Sequence, residues 1–156
     1  MWVPIICAAV AAMLVAGLGA LMTDLGDWYV HLRKPPWQPP DWLFGPAWTL
    51  IFALTAAAGV LAWRDEPSLV RREWILVLFA LNGLLNVVWS LLFFRLHHPD
   101  WALLEVGFLW LSIVALIVVI APASAAGGWL LAPYLAWVAF AAFLNLAVVR
   151  LNGPMS

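Results

Sequence analysis

The chain has 156 residues, of which 67% are hydrophobic and only 10% charged, whereas soluble domains carry roughly a quarter charged residues. So little polar surface cannot cover a core in water, which excludes a water-soluble globular domain and makes lipid the solvent. A formal net charge of −1 supplies no basic field for nucleic acid and no acidic tail for a basic partner.

Crossing a hydrocarbon core of roughly 30 Å takes about 20 apolar residues. Five such runs are present, near 3–23, 43–63, 74–94, 101–121 and 129–149. They are continuously apolar rather than alternating, which excludes a β-barrel. The fold read from the sequence is an all-α membrane protein. A single domain over 1–156 forms a compact bundle of five transmembrane helices with a structured first loop. Short links between the later runs force neighbouring helices to run antiparallel.

The first run has no basic residue before Trp2 and is long enough to span, so it is expected to be retained rather than cleaved as a signal peptide. Ala8, Ala12, Ala16 and Ala20 recur at four-residue spacing, with Gly17 and Gly19 nearby. Small residues at this spacing let helices approach closely. They suit a homodimer surface or the seating of the helix in its own bundle. Cys7 is the single cysteine, so no intrachain disulfide can form.

The first link, 24–42, is long and unusual, with prolines at 35, 36, 39 and 40 that fix φ and with Trp28, Tyr29, Trp37 and Trp42. It reads either as an interfacial aromatic belt or as a lid over a pocket between helices. The second run carries Phe44, Trp48, Ile51 and Thr55. The third sets Asn82, Asn86, Trp89 and Phe93 in one stripe at helical period. These amides serve either plain helix packing or a ligand in an otherwise apolar cavity.

The fourth run has Trp101, Leu104, Glu105, Phe108 and Ser112 on a similar face. Glu105 is the one clear acid inside a span and so a functional-site hypothesis. The fifth has Tyr134, Trp137, Ala141 and Leu144 on one face, with Asn145 adjoining. A lining of this kind suits a flat, bulky, largely apolar ligand. It lacks the carboxylate rings of an ion pathway and the inverted repeats common in carriers of polar solutes.

No phosphate-binding loop, dinucleotide fingerprint, nucleophile elbow or zinc spacing is present. His31, His97 and His98 lie in links and are read as solvated, with no metal site assigned. Arg64, Arg71 and Arg72 fall on the side of the N-terminus, against Arg33, Lys34, Arg95 and Arg150 on the other, a split that leans towards a cytoplasmic C-terminus. Apolar helical spans favour a bacterial cytoplasmic membrane over an outer membrane.

The stretch Trp28-Tyr-Val-His-Leu-Arg-Lys-Pro-Pro-Trp-Gln-Pro-Pro-Asp-Trp-Leu-Phe-Gly-Pro-Ala-Trp48 resembles the first loop and second-helix entry of the translocator protein family, also called tryptophan-rich sensory proteins or peripheral-type benzodiazepine receptors. The run Asn82-Gly-Leu-Leu-Asn-Val-Val-Trp-Ser-Leu-Leu-Phe-Phe94 is similar to that family's third helix, Asp100-Trp-Ala-Leu-Leu-Glu105 to its fourth and Pro133-Tyr-Leu-Ala-Trp-Val-Ala-Phe-Ala-Ala-Phe-Leu-Asn145 to its fifth. Trp2-Val-Pro4 fits its N-terminus.

The resemblance implies a five-helix bundle, commonly a homodimer, whose cavity binds protoporphyrin IX or haem as ligand, with no obligatory cofactor. It also implies sterols in many members and isoquinoline carboxamide or benzodiazepine-type drugs. By position the implied binding residues are Tyr29, Phe44, Gly45, Trp48, Asn82, Asn86, Trp89, Trp101, Leu104, Phe108, Trp137, Ala141 and Leu144. The implied roles are sensing or translocating tetrapyrroles in stress responses. An alternative is the light-dependent porphyrin degradation reported for some relatives, whose tryptophans would here be Trp48 and Trp137. One departure is that Leu144-Asn-Leu-Ala-Val-Val-Arg150 lacks the central tyrosine of the family's sterol pattern.

Overall fold

The computed structural model describes residues 2–153. Among them, five helices are long and apolar enough to cross a membrane. Helix α1 spans Trp2–Met22, and the loop that follows holds a short helix α2, Asp27–His31. Helix α3 spans Asp41–Asp65, and α4 spans Leu69–Ser90 and continues through a π-helical turn, Leu91–Arg95. Helix α5 spans Pro99–Ile120, and the last crossing is built from α6, Ala125–Leu130, and α7, Ala132–Asn152.

Helix ends differ from the apolar runs where a cap or proline sets the boundary. The α4 helix starts five residues before its apolar run because Ser68 Oγ accepts a hydrogen bond from the Arg71 amide at 3.3 Å. Arg71, Arg72 and Glu73 thus become a charged first turn. Buried Glu66 holds that turn through Arg71 Nε at 3.2 Å, and its carbonyl accepts from Arg72 Nε at 2.7 Å. The fifth crossing likewise begins early, because Ser124 Oγ accepts from the Gly127 amide at 3.1 Å. It bends at Leu131, just before Pro133 occupies the first turn of α7.

The helices close a ring in the order α1, α3, α7, α5, α4, and back to α1. Helix α5 is the most enclosed, with Ala102, Val106, Leu109, Ile113, Leu116 and Ile120 buried, whereas α1 buries no residue fully. Close approach of α1 to α4 depends on Gly83, where a Cβ would meet Val15 Cγ2 at 3.0 Å. The half of the bundle nearer the N-terminus is packed solid around Ile51, Ala58, Ile75, Ile113 and Leu116. The half beneath the first loop is not.

The four-residue alanine stripe of α1 lies on the side turned to this ring. Ala8, Ala12 and Ala16 are half-buried, and Ala16 and Ala20 face a cavity inside the bundle. The stripe therefore seats α1 in its own bundle, and a homodimer surface drawn through these four alanines does not follow from the structure.

A lidded aromatic cavity as candidate functional site

The first loop is folded down over the open half of the bundle. Its own Tyr29 and Leu32 are buried against the bundle. Trp28 stacks on His97 with centroids 4.4 Å apart and planes within 8°, and it meets Phe93 edge-on at 6.3 Å. His97 adopts a φ of 58°, which turns the chain sharply between the π-helical turn and α5. Midway along the loop, the Asn152 side chain clasps Arg33, accepting from its amide at 3.0 Å and donating to its carbonyl at 2.8 Å. Trp37 packs edge-on against Phe140 of α7. These contacts make the loop a lid with fixed attachments to α4 and α7, rather than a belt alone.

Tyr29 is the centre of the lid. Its hydroxyl donates to Asp41 Oδ1 at 2.8 Å and accepts from Gln38 Nε2 at 3.0 Å, and Lys34 Nζ lies 4.2 Å from its ring centroid. Burial, and then the Asp41 carboxylate that accepts its proton, push the phenol well above its ordinary range, so it stays a donor at neutral pH.

Below the lid is a cavity of about 570 Å³. Its α3 wall is Phe44, Gly45, Trp48, Thr49 and Phe52, and its α7 wall is Trp137, Ala141, Leu144, Asn145 and Val148. Helix α4 and its π-helical turn add Asn86, Trp89, Ser90, Phe93 and Phe94, and α1 adds Ala16, Gly19 and Ala20, with Thr23 just past its end. Trp48 and Trp137 meet at 6.2 Å with planes at 90°, while Phe44 touches Trp137 at 5.8 Å and Trp48 touches Tyr134 at 6.2 Å. Edge-to-face contacts of this kind hold aromatic walls in fixed orientations.

A polar seam closes the floor. Asn82 Nδ2 donates to Ser112 Oγ at 3.0 Å, Tyr134 Oη donates to Asn82 Oδ1 at 3.1 Å, and Asn86 Nδ2 donates to Tyr134 Oη at 3.0 Å. Higher up, Trp89 Nε1 donates to Asn145 Oδ1 at 3.1 Å, and Asn145 Nδ2 donates to the Pro99 carbonyl at 2.8 Å. The amides thus tie α4, α5 and α7 together, and both polar ends of Asn82 are taken by protein groups. Asn86 also reaches the cavity. Trp137 Nε1, in the wall, is buried with no protein partner among the described residues.

Nine of the thirteen implied binding residues lie on the cavity surface: Tyr29, Phe44, Gly45, Trp48, Asn86, Trp89, Trp137, Ala141 and Leu144. Asn82 lies beneath the floor. Trp101, Leu104 and Phe108 are brought nowhere near it: they are 61%, 69% and 59% exposed on the outer face of α5. The reason is that α5 turns Ala102, Glu105, Val106, Leu109 and Ser112 inward, and a helix cannot present both stripes to one interior. Glu105 is buried with neither oxygen bonded to protein among the described residues, and it does not line the cavity.

Cavity residues to which the sequence gave no binding role include the small face of α1, the polar mouth of Lys34, Gln38 and Asp41, and Thr49, Phe52, Ser90, Phe94 and Val148. The α1 face was visible as a small-residue stripe, but its direction was not.

Fold and site together define a class: a five-helix membrane protein whose one open half is an aromatic cavity covered by its first loop. Residues 5–151 match the model of the TspO/MBR family. The chain is 41% identical to the tryptophan-rich protein TspO of Chlorobaculum tepidum over 80% of this chain and 79% of that one. It is 38% identical to the protein of that name from Archaeoglobus fulgidus, over 93% and 95%, and 31% identical to the human translocator protein, over 97% and 91%. The chain belongs to the TspO/MBR family, and it is an integral, multi-pass membrane protein.

Proposed function

We propose that this protein binds a tetrapyrrole, protoporphyrin IX or haem, in the lidded cavity and acts as a membrane sensor or translocator for it. The observation that carries the reading is the wall of Phe44, Trp48, Trp89 and Trp137 around about 570 Å³, covered by an ordered lid. That volume lies within the roughly 300–1,000 Å³ of small-molecule sites, and aromatic walls with a few placed polar groups are their usual lining. Similarity to proteins named translocator protein and tryptophan-rich sensory protein supports the role in the membrane.

The residues favour the metal-free ring. None of the lining side chains is His, Cys or Met, and the Tyr29 hydroxyl is committed to Asp41 and Gln38. A haem would be held by its faces and edges without the usual axial ligands. Sterols and isoquinoline carboxamide drugs are further candidates for the same apolar space. Homodimer formation belongs to the proposal too.

A second reading is favoured by the perpendicular contact of Trp48 and Trp137 in the wall. An indole held against a photoexcited porphyrin gives it one electron and is oxidised to its radical cation; the reduced ring passes that electron to dioxygen, and the superoxide formed in the cavity attacks the macrocycle, so that illumination in air consumes the ligand, the chemistry being mainly the ligand's own.

Purified protein titrated with protoporphyrin IX in the dark tests the first reading. Tryptophan fluorescence should quench saturably at one ligand per chain, and a linear, unsaturable loss would overturn the assignment.

A further inference from the structure

The cavity is apolar in its depth and charged only at its mouth. Among its lining residues Lys34 and Asp41 alone carry charge, and both come from the lid side. Their surroundings differ. Asp41 accepts the Tyr29 hydroxyl at 2.8 Å, so one of its oxygens is already matched to a donor. Lys34 forms no ion pair among the described residues, and its ammonium rests over the Tyr29 ring at 4.2 Å from the centroid.

A cation parked on an aromatic face keeps its hydrogen-bond donors free, because the ring offers a quadrupole and no lone pair to accept them. The lysine stem is flexible and its three donors rotate, so it can meet an anion at several angles without the lid moving. The other basic residues near the mouth are not available in this way. Neither Arg33 nor Arg95 lines the cavity, and Arg95 Nη1 is turned to the Leu21 carbonyl, to which it donates at 3.2 Å.

We infer that Lys34 is the counter-charge for a ligand carboxylate, so that the cavity takes its macrocycle with the acidic edge at the mouth, under the lid, and the apolar edge against Trp48 and Trp137. The inference rests on the tetrapyrrole reading above and adds to it a ligand orientation and a residue that selects acids over esters. A carboxylate buried in the apolar depth would lose its hydration without a partner, a cost the opposite orientation avoids. Asp41 sets the limit on acidity at the mouth: its own charge disfavours a second anion on its side and directs the carboxylate towards Lys34.

The test uses the full chain in lipid nanodiscs, titrated in the dark with protoporphyrin IX and separately with its dimethyl ester, which has the same ring without the charges. Lys34→Met should weaken the free acid by about tenfold, the scale of one charge-assisted hydrogen bond, and leave the ester unchanged. Lys34→Arg should keep the preference for the acid. The ester titration also reports that the variant is folded with its cavity intact. Equal weakening of both ligands by Lys34→Met, or weakening of neither, would overturn the inference while leaving the cavity assignment in place. A wild-type chain that saturates with neither ligand would overturn the tetrapyrrole reading and this inference with it.

Discussion

Replacing Tyr29 by phenylalanine removes one oxygen atom and, with it, two hydrogen bonds that hold the lid: the 2.8 Å donation to Asp41 and the 3.0 Å acceptance from Gln38. The ring contacts to Phe94 and Lys34 stay. A bond to a charged group contributes about 1.5–3 kcal/mol and a neutral one about 0.5–1.5 kcal/mol. Asp41 is exposed and regains water when its donor is lost, which places the sum near the lower end. The closed lid should therefore weaken by about 2 kcal/mol, or roughly thirtyfold in the opening equilibrium. Stopped-flow release of protoporphyrin IX in the dark measures it, with amide exchange of residues 27–41 as the direct report on the lid. The sign of its pH dependence follows from Tyr29. Its phenol is raised in the folded lid, so its contribution is complete at neutral pH and fades once pH passes the ordinary phenol value of 10.0, where the open state ionises first. The gap between wild type and Tyr29→Phe should be flat near neutrality and close in alkali. Faster amide exchange with an unchanged release rate would refute the lid as the gate.

Asn82→Leu cuts the bonds to Ser112 and Tyr134 below the floor; at about 0.6 kcal/mol per interhelical bond, it should lower stability by about 1 kcal/mol in detergent unfolding, with porphyrin affinity preserved. Leu104→Ala and Phe108→Ala, on the outer face of α5, should leave dark affinity unchanged, and a loss of binding in either would contradict the inward face assigned to α5. Under illumination, Trp48→Phe and Trp137→Phe should each slow the loss of porphyrin absorbance, whereas loss at the wild-type rate in both would mark it as uncatalysed bleaching.

The five crossings were legible because run length is a strong signal when every backbone polar group in lipid must be bonded within its own segment. What faces what was less legible, for a related reason. Lipid is as apolar as a bundle interior, so Leu104 and Phe108 on the outside of α5 look no different in sequence from Leu109 and Ile113 on the inside. The same ambiguity hid the direction of the α1 alanines, of which Ala16 and Ala20 lie against the cavity. Polar positions were the better guides: Asn82, Asn86, Ser112, Tyr134 and Asn145 all turn inward and bond to one another or to backbone, because none can be left in hydrocarbon. The lid was legible as an ordered loop from its prolines and tryptophans. Its short helix, Asp27–His31, was not, since five residues are too few to show a period. Nor were its clasps to His97 and Asn152, which join residues far apart in sequence.

The most direct test of the account is a dark titration of wild type beside Ala16→Phe. Ala16 lines the cavity from α1, between the α3 and α4 walls, and a benzyl group there occupies the space proposed for the ligand. Wild type should quench saturably at one protoporphyrin IX per chain, and Ala16→Phe, still folded by circular dichroism, should lose saturable binding. Equal, saturable binding by both proteins would contradict the claim that this cavity is the site.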